Sequence, residues 1–327
     1  MLTFPALVAA YLDSIKVKPS HGRLVRIARQ WVLTLPTVPT RAQLLMRQRE
    51  LCAGHFKPNA TKANKELALV RTACRWGQYE GVWTAGDPTA GIRKFKTPKR
   101  KRIGVHQELR SLLEWFDMPT SETDLRDRAL YGMALFTGCR PGEIRTAQLS
   151  DLAPYGTMGR WTKPATKTGE PQYLPVPPQA MRWMEAWLTV RRDAKSPYLF
   201  PGQRRGPVGF DGPIPLSDTS VRTRWGLLRR ELRMTGLWHY DLRRTLATYL
   251  HEMGYSIKHV KAILNHYEGD AIDHYVDIPF DSLAKVIVHY EQWLLSLRIP
   301  GVVEPPVPML SFHRRASDER GTYAPHS

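Results

Sequence analysis

The stretch TGCRPGE places a cationic side chain between two helix signals. Gly138 favours the end of one helix, and Pro141 is a residue favoured in the first turn of the next. Backbone N–H groups point outward at a helix start, so Arg140 and the helix terminus can together hold a phosphate. Glu143, three residues on, either pins this arginine or caps the turn. Taken alone, the stretch is also typical of an ordinary surface arginine.

A second cationic stretch is LWHYDLRRTLATYLHEMG, residues 237–254. Arg243 follows Tyr240 by three residues and His239 by four, so either side chain can share its helical face. The spacing predicts a second phosphate-binding arginine at position 243. An ordinary helix start with Asp241 as its cap is the alternative, and Arg244 falls on another face.

The third stretch is LNHYEGDAIDHYVDI, residues 264–278. Asn265 tolerates the left-handed conformation of a helix stop, which places His266 just past a buried helix end. Tyr275 follows nine residues later and is a candidate nucleophile, whereas Tyr267 is typical of a packing residue. A metal site is the alternative, but irregularly spaced acids without a strand scaffold do not favour one. The residues of that alternative are His266, Asp270, Asp273, His274 and Asp277, and we predict no metal and no cofactor.

The overall charge indicates the partner of these cations. The 327 residues include 48 Lys and Arg against 30 Asp and Glu, which gives a net charge of +18 and a pI near 10.0. Such a balance is typical of proteins that bind nucleic acid, and most of the excess lies in residues 1–100. The three cysteines form no CxxC pair, so neither a disulfide framework nor a zinc module is indicated. Without a basic leader or a long apolar run, we expect a soluble cytoplasmic protein with no membrane partner.

The hydrophobic pattern predicts a mainly α protein with a small antiparallel β-sheet, in two domains. The domain limits are 1–93 and 104–297, with a basic linker at 94–103 and a disordered tail at 298–327. A β-hairpin is predicted at 161–177 around a Lys-Thr-Gly turn. The predicted helices are Phe4–Lys16, Gly22–Leu35, Arg41–Ala53, Lys62–Tyr79, Leu109–Phe116, Ser121–Phe136, Gln179–Arg192, Ser220–Met234, Asp241–Met253, Ser256–Leu264 and Phe280–Leu297.

Two groups of cations outside these stretches are candidates for contact with DNA phosphates. A basic stripe runs along the fourth helix beside its apolar stripe, and a dense basic run forms the linker. A solvated tether is the alternative for the linker. The candidates are Arg71 and Arg75 on the helix, and Lys94, Lys96, Lys99, Arg100, Lys101 and Arg102 in the linker.

These motifs, in this order, resemble the tyrosine recombinase family, the integrases of phages and related mobile elements. The resemblance implies a helical core-type DNA-binding domain followed by a catalytic domain that cuts and rejoins DNA through a covalent 3′-phosphotyrosyl intermediate, without metal. It implies that Tyr275 is the nucleophile and that Arg140 and Arg243 bind the phosphate. Three further residues match family positions. Lys167 in TKTG matches the lysine of the hairpin, and His266 matches a position that holds histidine or tryptophan. Glu143 matches the acidic residue that supports the first arginine.

One position departs from the family pattern of His, any residue, Leu, Arg. Tyr240 stands where that histidine belongs, and His239 comes one residue too early. A tyrosine can donate to a phosphate oxygen, but its reference pKa near 10 makes it a poor base. Either His239 reaches in through a local shift or the site works with less base assistance, and the register favours the second.

The resemblance also implies the partners: double-stranded recombination sites and a homotetramer on DNA, with a monomer or weak oligomer when free. The reaction expected is integration or excision of a mobile element, on core sites only because no arm-binding domain precedes the first helix. On DNA the protein would be associated with the nucleoid. A type IB topoisomerase or a catalytically impaired DNA-binding regulator are the alternatives. The last helix packs either in its own domain or on a neighbouring protomer.

Overall fold

The structure of the protein is a computed structural model that describes residues 2–16, 21–35, 37–53, 59–97, 100–164, 171–191, 195–202, 212–266 and 278–299. The chain divides into two compact units, residues 1–100 and 101–327. The division falls within the segment 94–103. Most of the predicted tail, residues 300–327, lies outside the described residues.

The described residues form twelve α-helices and three β-strands, so the predicted mainly α class with a small antiparallel sheet is confirmed. The helices are α1 Phe4–Ser14, α2 His21–Gln30, α3 Arg41–Ala53, α4 Ala60–Tyr79, α5 His106–Asp117, α6 Glu122–Thr137, α7 Pro141–Thr146, α8 Pro178–Val190, α9 Asp218–Glu231, α10 Asp241–Glu252, α11 Ile257–Leu264 and α12 Phe280–Ser296. The strands are β1 Leu152–Tyr155, β2 Met158–Lys163 and β3 Gln172–Val176.

The first unit packs α1 to α4 around one apolar core. Leu7 and Val8 of α1 are fully buried with Val70 and Cys74 of α4. Gly77 permits the closest approach, because a Cβ there would lie 2.3 Å from Leu7 Cδ1. The predicted second helix was too long. It ends at Gln30, and Val32–Thr34 forms a short 3₁₀ turn instead.

The second unit is built around α6, whose residues Asp127–Thr137 are all buried. Helices α5, α8, α10 and α12 supply apolar side chains to the same core. Ser121 caps α6 by accepting a hydrogen bond from the Asp124 N–H at 3.1 Å. Gly138 ends the helix in the left-handed conformation (φ 62°), where a Cβ would lie 2.9 Å from Leu264 Cδ2. The predicted helix break at Gly138 is therefore confirmed, and it brings the end of α6 against the end of α11.

The sheet has the order β1-β2-β3, with both neighbouring pairs antiparallel. Strands β2 and β3 confirm the predicted antiparallel pair, and β1 was not predicted. The predicted Lys-Thr-Gly turn lies outside the described residues. In the β2–β3 register, Trp161 faces Leu174 and Lys163 faces Gln172. Trp161 and Leu174 are buried in the core, so the hairpin is fixed by its apolar face. No helix within the described ranges combines the length and apolarity needed to cross a membrane.

Candidate active site

The turn between α6 and α7 holds Arg140 in a fixed orientation. Arg140 is the residue before the first turn of α7, and its backbone N–H donates to Glu143 Oε2 at 3.0 Å. Its guanidinium Nη1 donates to Glu143 Oε1 at 2.7 Å. Glu143 therefore both caps the turn and pins the arginine, where the sequence left these as alternatives. The Arg140 side chain remains 40% exposed, so part of its guanidinium faces solvent.

Arg243, in the second of the three stretches, contacts the backbone of the other two. It lies in the first turn of α10, and its guanidinium donates to the carbonyl of Gly138 at 2.9 Å and to that of Leu264 at 2.5 Å. The residue is only 9% exposed. Both carbonyls belong to helix ends, so the arginine satisfies acceptors that the helices leave open. The geometry thus brings the end of α6, the start of α10 and the end of α11 to one place.

Arg140 and Arg243 lie close enough for their positive charges to interact. Burial lowers the pKa of Arg243, and repulsion from Arg140 lowers it further. The negative charge of Glu143 acts in the opposite direction on the same group. A concentration of buried or half-buried guanidinium groups at one point is suited to bind an anion such as a phosphate diester.

Lys163 is a residue of this site that the sequence analysis missed. It is the last residue of β2 and only 4% exposed. Its Nζ lies 3.4 Å from Glu143 Oε2 and 3.6 Å from Cys139 Sγ. Lys163 lies in the predicted hairpin four residues before Lys167, but no local pattern of the sequence indicates its contact with Glu143 of α7.

His239 and Tyr240, the two candidates for the family histidine position, have different environments. His239 is 4% exposed and its ring lies 6.2 Å from the ring of Trp225 on α9. Burial lowers the pKa of His239, and neither ring nitrogen has a hydrogen-bond partner among the described residues. Tyr240 is 53% exposed and lies within electrostatic range of Arg243, which follows three residues later. The N-cap residue of α10 is Tyr240 and not Asp241, whose Oδ2 accepts from the Trp238 N–H at 2.8 Å.

The third stretch is described as far as its helix stop. Asn265 ends α11 in the left-handed conformation (φ 51°), as predicted. His266 follows as an exposed residue, and its N–H donates to the Lys261 carbonyl at 3.0 Å. The other predicted site residues of this stretch lie outside the described residues, as does the hairpin lysine. These are Tyr267, Asp270, Asp273, His274, Tyr275, Asp277 and Lys167.

The predicted DNA-binding cations of the fourth helix differ in how they are bonded. Arg71 donates to the Thr89 hydroxyl at 2.9 Å and to the Thr89 and Ile92 carbonyls at 3.1 and 3.2 Å. Its role in the structure is to hold the segment after α4, which the sequence did not indicate. Arg75, one turn later, is 71% exposed and lies 3.9 Å from Asp87.

The basic residues of the linker also differ in exposure and bonding. Lys94, Lys96 and Lys101 are exposed, and so is Arg100, whereas Lys99 lies outside the described residues. Arg102 is bonded within the second unit, where its guanidinium contacts Glu108 and the carbonyls of Ile103 and Thr235. Arg102 therefore belongs structurally to the second unit and not to a free linker.

The sequence of the chain is similar to those of known proteins. Residues 105–281, more than half of the chain, match the model of the phage integrase family. Tyrosine recombinase XerC 2 of Ralstonia nicotianae is 25% identical over 293 residues, which cover 86% of this chain and 81% of the relative.

Two crystal structures of lambda integrase share the fold at 17% sequence identity. Its residues 75–356, solved as a dimer bound to a COC′ core site, align with a TM-score of 0.59 and cover 85% of this chain and 99% of that chain. A lambda integrase tetramer bound to a Holliday junction aligns with a TM-score of 0.58, over 84% of this chain and 78% of that chain.

The family match and the relatives identify a tyrosine-type, site-specific DNA recombinase. The chain belongs to the phage integrase family, and the resemblance drawn from its motifs is confirmed.

Proposed function

We propose that the chain cuts and rejoins DNA strands at specific sites, with Tyr275 as the nucleophile. The phenolic oxygen attacks the phosphorus of a phosphodiester and forms a 3′-phosphotyrosyl ester as the bond to the 5′ oxygen breaks. The proton lost by the phenol and the proton gained by the 5′ oxygen balance, and the phosphoester bond energy is retained. A strand with a free 5′ hydroxyl then reverses the step and restores the phosphodiester.

The single observation that carries this proposal is the bonding of Arg243. Two of its donor atoms are used to hold Gly138 and Leu264, so its guanidinium is immobilised beside Arg140. Donors that are fixed before the reaction stabilise developing charge by about 3 kcal/mol each in a desolvated site. In our proposal both arginines contact the nonbridging oxygens, His266 adds a further donor, and Lys167 protonates the departing 5′ oxygen.

The wider setting of the reaction is also part of this proposal. The partner would be a pair of double-stranded recombination sites, bound by a homotetramer that assembles on DNA from free monomers or weak oligomers. Lambda integrase bound to a core site and, as a tetramer, to a Holliday junction supports this assembly. The exposed cations Arg75, Lys94, Lys96 and Lys101 would contact DNA phosphates. We place the reaction in the cytoplasm on nucleoid DNA, as integration or excision of a mobile element.

Trapping the covalent intermediate tests the proposal directly. The protein is incubated with duplexes that carry a nick beside the scissile bond, made from DNA flanking its gene, and an adduct that survives detergent is sought. We expect a protein–DNA adduct at one defined phosphate, and exchange of strands only between paired sites. Relaxation of any supercoiled plasmid would instead indicate a type IB topoisomerase, and DNA binding without adduct a regulator.

Replacement of Tyr240 by Phe tests which residue occupies the histidine position of the family. Tyr240 is exposed and close enough to influence Arg243, whereas His239 is buried against Trp225. We therefore expect Tyr240→Phe to slow single-turnover cleavage about tenfold, which corresponds to about 1.4 kcal/mol and so to the loss of one hydrogen bond. His239→Phe keeps an aromatic ring in the same space and should slow cleavage less. The reverse order would assign the position to His239.

A further inference from the structure

The second unit buries a charged lysine beside the proposed phosphate site. Lys163 is 4% exposed at the end of β2, and its backbone is fixed by pairing with Gln172 of β3. Gln172 in turn donates to the Ala262 carbonyl at 2.7 Å, at the end of α11. A buried ammonium group is costly unless it is paired. Its position is thus maintained by the sheet and needs a partner of opposite charge.

The partner of Lys163 is the carboxylate that orients Arg140. Glu143 Oε1 accepts from the Arg140 guanidinium at 2.7 Å. Glu143 Oε2 accepts from the Arg140 backbone N–H at 3.0 Å and lies 3.4 Å from Lys163 Nζ. One carboxylate therefore connects a buried cation on the sheet to the exposed arginine on the turn.

The ring of Trp161 also lies near the ammonium group of Lys163. Its centroid lies 5.7 Å from Lys163 Nζ, within the range of a cation–π contact. Cys139 Sγ lies 3.6 Å from the same nitrogen. With these neighbours the ammonium group is held away from solvent, so it is not placed to contact DNA itself.

We propose that Lys163 is a positioning residue for the recombination reaction, which holds Glu143 so that Arg140 presents its guanidinium to the scissile phosphate. This inference rests on the proposed function and adds to it a residue that the family motifs in the sequence did not include. Loss of the lysine would leave Glu143 free to turn with Arg140. The arginine would then have to be ordered by the substrate, at the expense of the cleavage rate.

The charges around Glu143 predict a pH signature. Burial alone would raise the pKa of Glu143, but the charge of Lys163 and the hydrogen bonds from Arg140 outweigh it, so the pKa lies below its ordinary value. The other charged or titratable groups that face it are Cys139 on the same turn and Arg243 on α10. Glu143 thus stays ionised and binds Arg140 until the pH falls through this lowered pKa. Without Lys163 the pKa rises, and the loss of activity on acidification begins at a higher pH.

The test is single-turnover cleavage of the nicked duplex by the full chain across the acidic and neutral range. For Lys163→Met we expect cleavage about tenfold slower near neutral pH, the range of coupling between contacting residues, and an acid limb displaced to higher pH. Lys163→Arg should recover part of the rate. In a Glu143→Gln background, Lys163→Met should change the rate less than about twofold, because the partner is already absent. Lys285→Met, at an exposed position of α12, is the matched control.

An unchanged rate and acid limb in Lys163→Met would overturn the inference. So would an equal slowing by Lys163→Met with and without Glu143, which would indicate a purely structural role. Lys163→Gln replaces Lys163→Met if thermal melting shows that the latter is unfolded at the assay temperature. Adduct formation by the unaltered chain is scored separately, so a failure of the proposed function is distinguished from a failure of this inference.

Discussion

Replacing Tyr275 by Phe is expected to abolish strand cleavage and strand joining while DNA binding is retained. The change removes one oxygen atom and leaves the ring, so it removes the nucleophile with little change in shape. Loss of an attacking group in a concerted site costs a factor of about 10³ or more, and no covalent intermediate can form. The measurement is detergent-resistant adduct on the nicked duplex, with an electrophoretic mobility shift to confirm binding.

Tyr267→Phe is the matched control, since it removes the same oxygen eight residues earlier. It should form adduct at the rate of the unaltered chain, as expected for a packing residue. Adduct on Tyr275→Phe, or its loss on Tyr267→Phe instead, would move the nucleophile and refute the assignment. Digestion of the trapped complex and mass spectrometry of the DNA-linked peptide would identify the residue directly.

Replacing Arg243 by Ala is expected to reduce both cleavage and stability. The guanidinium donates to the Gly138 and Leu264 carbonyls from a position only 9% exposed. Its removal leaves two acceptors unsatisfied, at about 1–3 kcal/mol each before water relaxes the site. Cleavage should fall about 10²–10³-fold through loss of a preorganised donor. Single-turnover kinetics and thermal melting measure the two effects, with about 2–4 °C expected per kcal/mol in a unit of this size.

Arg244→Ala provides the comparison on the same helix. Arg244 is exposed, so its loss removes an equal charge without unsatisfied carbonyls. The melting temperature of Arg244→Ala should stay close to that of the unaltered chain. Arg243→Lys should resemble Arg243→Ala more than the parent, because one ammonium nitrogen cannot reach two carbonyls and a phosphate together. Equal melting temperatures for Arg243→Ala and Arg244→Ala would show that the two carbonyl contacts contribute nothing to stability.

The helices could be predicted because their apolar periodicity and their end signals agree. Gly138 and Asn265 were predicted to end α6 and α11, and both adopt the left-handed conformation there. The strand β1 could not be predicted, because Leu152–Tyr155 is only four residues long, includes Pro154 and is half exposed. Its conformation depends on pairing with β2, which no local pattern of those residues shows.

Residues of the candidate site could be predicted where the sequence signals a helix start. They could not be predicted where tertiary packing determines whether a side chain is buried. Arg140 and Arg243 could be named as candidates because both stand at helix starts. Lys163 was missed because a lysine in a strand is typical of the solvent face, and its burial depends on Glu143 from another element. Arg71 and Arg75 lie one turn apart on α4, and only the bonds to Thr89 and Ile92 show that Arg71 is held internally.

The contacts of Arg243 also bear on when the enzyme becomes active during its synthesis. Gly138 precedes Arg243 by 105 residues, and Leu264 follows it by 21. A ribosome-bound chain that has completed α6 and α7 therefore still lacks the second guanidinium and the carbonyl that immobilises it. We expect such an unfinished polypeptide, which already carries the basic residues of positions 1–100, to attract DNA without cleaving it.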